Sequence, residues 1–196
     1  MKHEQTLSLF ISPVSIFNLD VDTAKILKVL KKSKWTKDAA LEHLYLSPYQ
    51  ILSKLPHLSK EISKACESYM DKVLQMEGEA RVGNSWGVKT APQGFSSLHY
   101  HSNCWFSGTY YPESNSAFAI RFFNPHKFSW NGVPKSYNTY NAESWIIQPR
   151  VNQLILFPSL LSHEISLNHS NQDRYSIAFN MVPTGKFGHR DSMVTL

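Results

Sequence analysis

From about Gly83 onward the chain is a succession of short β-prone runs separated by Pro, Asn, Ser and Gly. They are 104–111 "CWFSGTYY", 116–123 "SAFAIRFF", 144–148 "SWIIQ", 153–157 "QLILF" and 174–182 "RYSIAFNMV". Each is too short to bury its apolar face alone. Many such strands with turn signals between them imply a sandwich or a barrel. The polar, aromatic stretch 124–143 is long for a loop in a compact domain, which suits a binding loop or lid.

The first part reads differently. Residues 7–17, "LSLFISPVSIF", are β-prone and suggest a strand. Pro13 breaks their apolar run and no small-residue cleavage site follows, which argues against a signal peptide. Residues 22–34 are expected to form a helix with Asp22 as its N-cap, and the lysines along it fit a solvated face. A second helix is expected over about 57–77. There Leu58, Ile62, Ala65, Cys66, Tyr69, Met70, Val73 and Leu74 recur every three or four residues, so one face packs inward. Cys66 then belongs to the core. The fold class is therefore mainly β with N-terminal helices (α+β). With 196 residues the chain suits one domain. Its parts are a strand and supporting helices over about 1–80, a β core over about 81–183 and a tail over 184–196.

Composition narrows the function classes. No run of eighteen apolar residues is present, so no membrane-spanning helix is expected. Two cysteines cannot build a disulfide framework and fit a reducing, cytoplasmic compartment. The net charge of +5 lies mostly after residue 80, where nine Lys/Arg face five Asp/Glu. That excess could attract an acidic small molecule or polyanion, or be ordinary surface charge, and nucleic acid is not the favoured partner.

The chemistry-bearing stretch is "SSLHYHSNCWFSGTYY", residues 96–111. Side chains at i and i+2 of a strand share a face, so His99 and His101 point together and Tyr100 points away. Two imidazoles on one face can hold Fe, Zn, Cu or Ni if a third ligand joins them. His163, in "LILFPSLLSHEISL", is the best-placed third ligand, since it follows an apolar strand. His126, His169 and His189 are rivals among loop residues. Eleven residues after His163, Arg174 opens a strand face shared with Ser176, Ala178 and Asn180. A buried arginine needs an anionic partner, and its guanidinium suits a carboxylate.

In this order the blocks resemble the Fe(II)/2-oxoglutarate-dependent oxygenases, in particular a family common in marine bacteria and their phages. The matching blocks are "LFISPVSIF", "NSW" (Asn84–Trp86), the His99/His101 pair followed by "SG-x-YY" (Ser107–Tyr111), "LFPS-x-x-x-H" (Leu156–His163) and "R-x-SIAFN" (Arg174–Asn180). A more distant likeness is to the prolyl hydroxylases. The resemblance implies a double-stranded β-helix, or jelly roll, that uses Fe(II), 2-oxoglutarate and O2. It implies His99 and His163 as iron ligands, with His101 where the wider superfamily has Asp or Glu. Glu113 and Glu164 are the acids that could otherwise supply that ligand. It also implies Arg174, Ser176, Tyr111 and Ser107 at the cosubstrate. Asn84, Trp86 and Asn180, together with Trp130 in the long loop, are the candidate substrate contacts. The expected reaction hydroxylates a small molecule or peptide, with peptidyl proline or another amino-acid side chain favoured, and yields succinate and CO2. The competing reading is a cupin-like three-histidine dioxygenase that does not use 2-oxoglutarate.

Overall fold

The helices and the strands bury two separate apolar layers, one on each side of a large sheet. The computed structural model describes residues 2–114, 119–126 and 132–195. In chain order its elements are β1 (Ser15–Asn18), α1 (Thr23–Lys31), β2 (Thr36–Lys37), β3 (Leu44–Leu46), α2 (Pro56–Ser68), β4 (Glu79–Thr90), β5 (Ser96–His99), β6 (Phe106–Tyr111), β7 (Ile120–Phe123), β8 (Ser144–Ile147), β9 (Gln153–Pro158), β10 (His163–Ile165), β11 (Arg174–Thr184), β12 (Lys186–Phe187) and β13 (Val194–Thr195). The large sheet runs β1-β9-β6-β11-β4-β3-β2 and the small sheet β5-β10-β7-β8, while β12 and β13 form a separate pair. The strand pairs are antiparallel throughout. Among the described residues no helix is long and apolar enough to cross a membrane.

Strand alternation explains the two layers. Tyr175, Ile177, Phe179 and Met181 of β11 face outward and pack with Leu30 of α1 and Leu58, Ile62 and Cys66 of α2. The intervening Arg174, Ser176, Ala178 and Asn180 face the small sheet. There Tyr111, Ile155 and Phe157 meet Ile120, Phe122 and Leu161 in a second, smaller core. This arrangement is the jelly-roll fold expected from the sequence. Asp22 caps α1 as expected, accepting from the amides of Ala24 (3.1 Å) and Lys25 (3.2 Å). Cys66 is core, and burial pushes its thiol pKa up.

Several boundaries differ from the sequence expectation. Only the end of the 7–17 run forms a strand, Ser15–Asn18, and Leu7, Leu9, Phe10 and Ile11 before Pro13 are exposed. The second helix stops at Ser68, and residues 69–74 continue as a wider π turn. The β-prone runs of the sequence do not include the long strand β4. Gly83 and Gly87 lower its β-propensity, but Gly87 lies where a Cβ would come within 2.9 Å of Leu30 and 3.2 Å of Trp35. Close approach of the helical layer therefore favours glycine there. Trp145 is 47% exposed on β8, an edge strand of the small sheet.

Candidate metal centre

The ladder of the small sheet builds the histidine cluster. His163 at the start of β10 pairs in register with His99 at the end of β5 on one side and with Phe122 of β7 on the other. His101 lies just beyond the end of β5. Its backbone N–H donates to the Ser159 carbonyl at 2.9 Å, which preserves the inward turn of its side chain. The ring centroids are 4.3 Å apart for His99–His163, 5.1 Å for His99–His101 and 5.3 Å for His101–His163. One ligand atom from each lies within 4.8 Å of the other two. Tyr100 points outward and is exposed, as the strand alternation requires.

Hydrogen bonding selects the tautomers. The Nδ1–H of His99 donates to the Ser97 carbonyl at 2.7 Å, and that of His163 donates to the Leu161 carbonyl at 2.9 Å. Each bond leaves an Nε2 lone pair for a cation and fixes the ring, as outer partners of metal-bound histidines do. Phe122 and Phe157 flank His163 at 5.9 and 4.7 Å. Burial pushes its pKa down to about 3 and that of His101 to about 4, so both are neutral at pH 7. Neutral nitrogen donors converging on one point fit Fe(II).

The rival ligands stand elsewhere. His126, His169 and His189 are exposed. Among the described residues only His99, His101 and His163 form a cluster of three potential ligands. Glu164 points outward and pairs with Arg121 at 3.1 Å. Glu113 accepts the backbone N–H of Tyr175 at 2.8 Å.

Arg174 enters the sandwich from the large sheet and is 3% exposed. Its Nη2 donates to the carbonyl of Ser166, just past β10, at 3.4 Å. Burial lowers its pKa to about 10, against the opposing attraction of Tyr111 and Glu113, so it stays charged at neutral pH. Tyr111 is fully buried, and burial pushes its hydroxyl pKa up although the Arg174 charge pulls it down. Ser176 shares the inward face with Arg174. Ser107 sits on β6, the neighbour of β11. Its hydroxyl donates to Asn180 Oδ1 at 2.8 Å and meets the Ser159 hydroxyl at 3.0 Å. Across β11, Asn84 pairs with Asn180 and Trp86 with Ala178. The Trp86 ring lies edge-on to His101, with centroids 6.0 Å apart. Trp130 lies outside the described residues. The sequence reading missed Ser159, which touches both Ser107 and the His101 backbone. Its position in "LFPS" was visible, but its contacts are long-range.

A cleft of about 570 Å³ opens between α1 and the start of α2, lined by Val21, Ile26, Val29, Leu55 and Leu58 among others. It belongs to the helical side of the large sheet and not to the histidine cluster.

Residues 84–180 match the family described as "Putative 2OG-Fe(II) oxygenase". No curated protein matches the sequence. Among solved structures, HygX from Streptomyces hygroscopicus, determined with nickel and 2-oxoglutarate bound, is similar at 11% identity. Its TM-score is 0.64, and the match covers 88% of this chain and 84% of that one. SnoK, an alpha ketoglutarate dependent carbocyclase from nogalamycin biosynthesis, gives 10% identity and a TM-score of 0.65 over 92% of this chain and 83% of that one. A Pseudomonas putida prolyl-4-hydroxylase gives 12% identity and a TM-score of 0.58 over 86% and 92%. At such identities the structural matches establish the shared fold. The family match goes further, since its span runs from Asn84 of β4 through the three histidines to Asn180 of β11. The chain thus belongs to the 2OG-Fe(II) oxygenase family and is an oxygenase whose cofactors are Fe(II), 2-oxoglutarate and O2.

Proposed function

We propose that this oxygenase holds Fe(II) with His99, His101 and His163 and hydroxylates a peptidyl proline or another amino-acid side chain. The observation that carries the reading is the convergence of three imidazole donors within 4.8 Å, two of them with Nδ1–H committed to a carbonyl. Bound Fe(II) and 2-oxoglutarate supply the oxidising chemistry: substrate C–H, O2 and 2-oxoglutarate become C–OH, succinate and CO2.

The protein's own groups bind and orient. The Arg174 guanidinium would hold the distal carboxylate of 2-oxoglutarate, replacing the water that burial removes. The Tyr111 hydroxyl and the Ser176 hydroxyl would donate to the same carboxylate. Ser107 acts one step back, holding Asn180 and Ser159 in place. Phe122 and Phe157 exclude water from the His163 side of the metal. Asn84, Trp86 and Asn180 line the substrate side. Cys66 and Cys104 are both free thiols, which suits the reducing bacterial cytoplasm in which we place the enzyme.

His101, at the position where the wider superfamily has an acidic ligand, is the feature that favours a second reading: a three-histidine dioxygenase that leaves 2-oxoglutarate untouched. Succinate release separates the two. Purified protein with Fe(II), 2-oxoglutarate, O2 and proline-containing peptides is expected to form succinate and a peptide heavier by one oxygen. Substrate oxidation without succinate would support the second reading.

A further inference from the structure

Tyr49 is 66% exposed, yet the turn that carries it is tied to β4 at both ends. The Ser47 N–H donates to the Gly87 carbonyl at 3.0 Å, and the Gly87 N–H returns to Ser47 Oγ at 2.8 Å. Beyond the tyrosine, the Leu52 N–H donates to Ser85 Oγ at 3.2 Å and Gln50 Nε2 to the Gly83 carbonyl at 3.2 Å. Gln50 itself sits at φ 61°, a left-handed conformation that costs a non-glycine residue energy. An isolated exposed tyrosine is ordinary. One displayed on a turn fixed by four hydrogen bonds and a strained residue is not explained by packing.

The Tyr49 ring stands edge-on to the half-buried Trp86, with centroids 6.4 Å apart and planes at 87°. Trp86 in turn stands edge-on to His101 at 6.0 Å. The two rings make a right-angled aromatic corner that leads from the surface to the histidine cluster. Beside it, Asn84 and Asn180 face each other across β4 and β11. Asn84 Oδ1 accepts the Ser85 N–H at 2.8 Å and Asn180 Oδ1 accepts from Ser107 at 2.8 Å. Among the described residues their Nδ2 groups remain as donors. Serine, glutamine and asparagine build this corner, so its polar groups are neutral.

We infer that Tyr49 and Trp86 form the substrate platform, and that Tyr49 is a specificity-determining residue for a neutral, saturated ring bearing oxygen acceptors. The C–H face of such a ring lies against the aromatic corner, and its oxygens accept from Asn84 and Asn180. A cation would gain from the ring faces but finds no counter-charge among the groups that build the corner. The inference rests on the oxygenase reading and names the chemistry of its substrate. A prolyl ring within a peptide and a pyranose ring both offer this chemistry.

The test titrates the protein, loaded with Ni(II) and 2-oxoglutarate to prevent turnover, with acetyl-Gly-Pro-Pro-Gly-amide and separately with methyl β-glucoside. Wild type is expected to bind one of the two, which identifies the ring's source. Tyr49→Ala is expected to bind it about five-fold more weakly, and Tyr49→Phe to match wild type. Ni(II) and 2-oxoglutarate affinities and the melting temperature should be unchanged in both variants. Binding of neither ring by wild type, or equal binding by Tyr49→Ala, would overturn the proposal. Repeating the ring titrations on metal-free protein separates the two readings, since failure to bind Ni(II) or 2-oxoglutarate counts against the oxygenase reading alone.

Discussion

His163 and His99 stand directly opposite each other on adjacent antiparallel strands, with their rings 4.3 Å apart. Main-chain pairing of β5 and β10 therefore sets the spacing of two donors before any metal arrives. His101 depends instead on one backbone bond to Ser159.

Replacing either ladder histidine should remove the metal. His99→Ala and His163→Ala are each expected to weaken Ni(II) or Fe(II) binding by more than about 100-fold, the upper range for losing only an outer partner. Calorimetric titration measures this. His101→Asp keeps a donor at the same place and should retain binding.

Arg174 should govern the cosubstrate. Arg174→Met removes a desolvated, hydrogen-bonded charge, a change that costs roughly 2–5 kcal/mol of ligand binding. The 2-oxoglutarate dissociation constant of the Ni(II)-loaded variant is expected to rise about 30-fold or more, with Ni(II) affinity retained. Arg174→Lys should recover only part of this, since an ammonium lacks the fork.

Acid should destabilise the metal-free protein through its buried imidazoles. The folded pKa values of His163 and His101, about 3 and about 4, lie below the ordinary 6.5. As pH falls below 6.5 the unfolded chain takes up protons that the folded chain refuses, so stability is lost progressively between 6.5 and about 3. Urea midpoints of the metal-free protein should fall across that window. The fall should be smaller in His163→Phe.

Gly108 should not tolerate a side chain. A Cβ there would meet the Phe179 ring and come within 2.6 Å of Leu156, both in the layer under the helices. Gly108→Ala is expected to cost about 1–3 kcal/mol by overpacking, read as a lower urea midpoint with an unchanged slope.

The strand face of Arg174, Ser176, Ala178 and Asn180 was legible in the sequence because alternation is local. So were the common direction of His99 and His101 and the N-cap at Asp22. What escaped was long-range. β4 is a strand because β11 and β3 flank it, although its glycines argue otherwise. The bond that carries His101 comes from Ser159, far along the chain. Tyr49 reads as an ordinary turn residue until Ser47, Gln50 and Leu52 are seen bound to β4.

The central claim is that one site holds Fe(II) and 2-oxoglutarate together, and anaerobic visible spectroscopy tests it most directly. Adding 2-oxoglutarate to the Fe(II)-loaded protein is predicted to produce a charge-transfer band in wild type. That band should be absent in His163→Ala, and in Arg174→Met it should need far more 2-oxoglutarate. Tight Fe(II) binding with a spectrum that 2-oxoglutarate never changes would contradict the account.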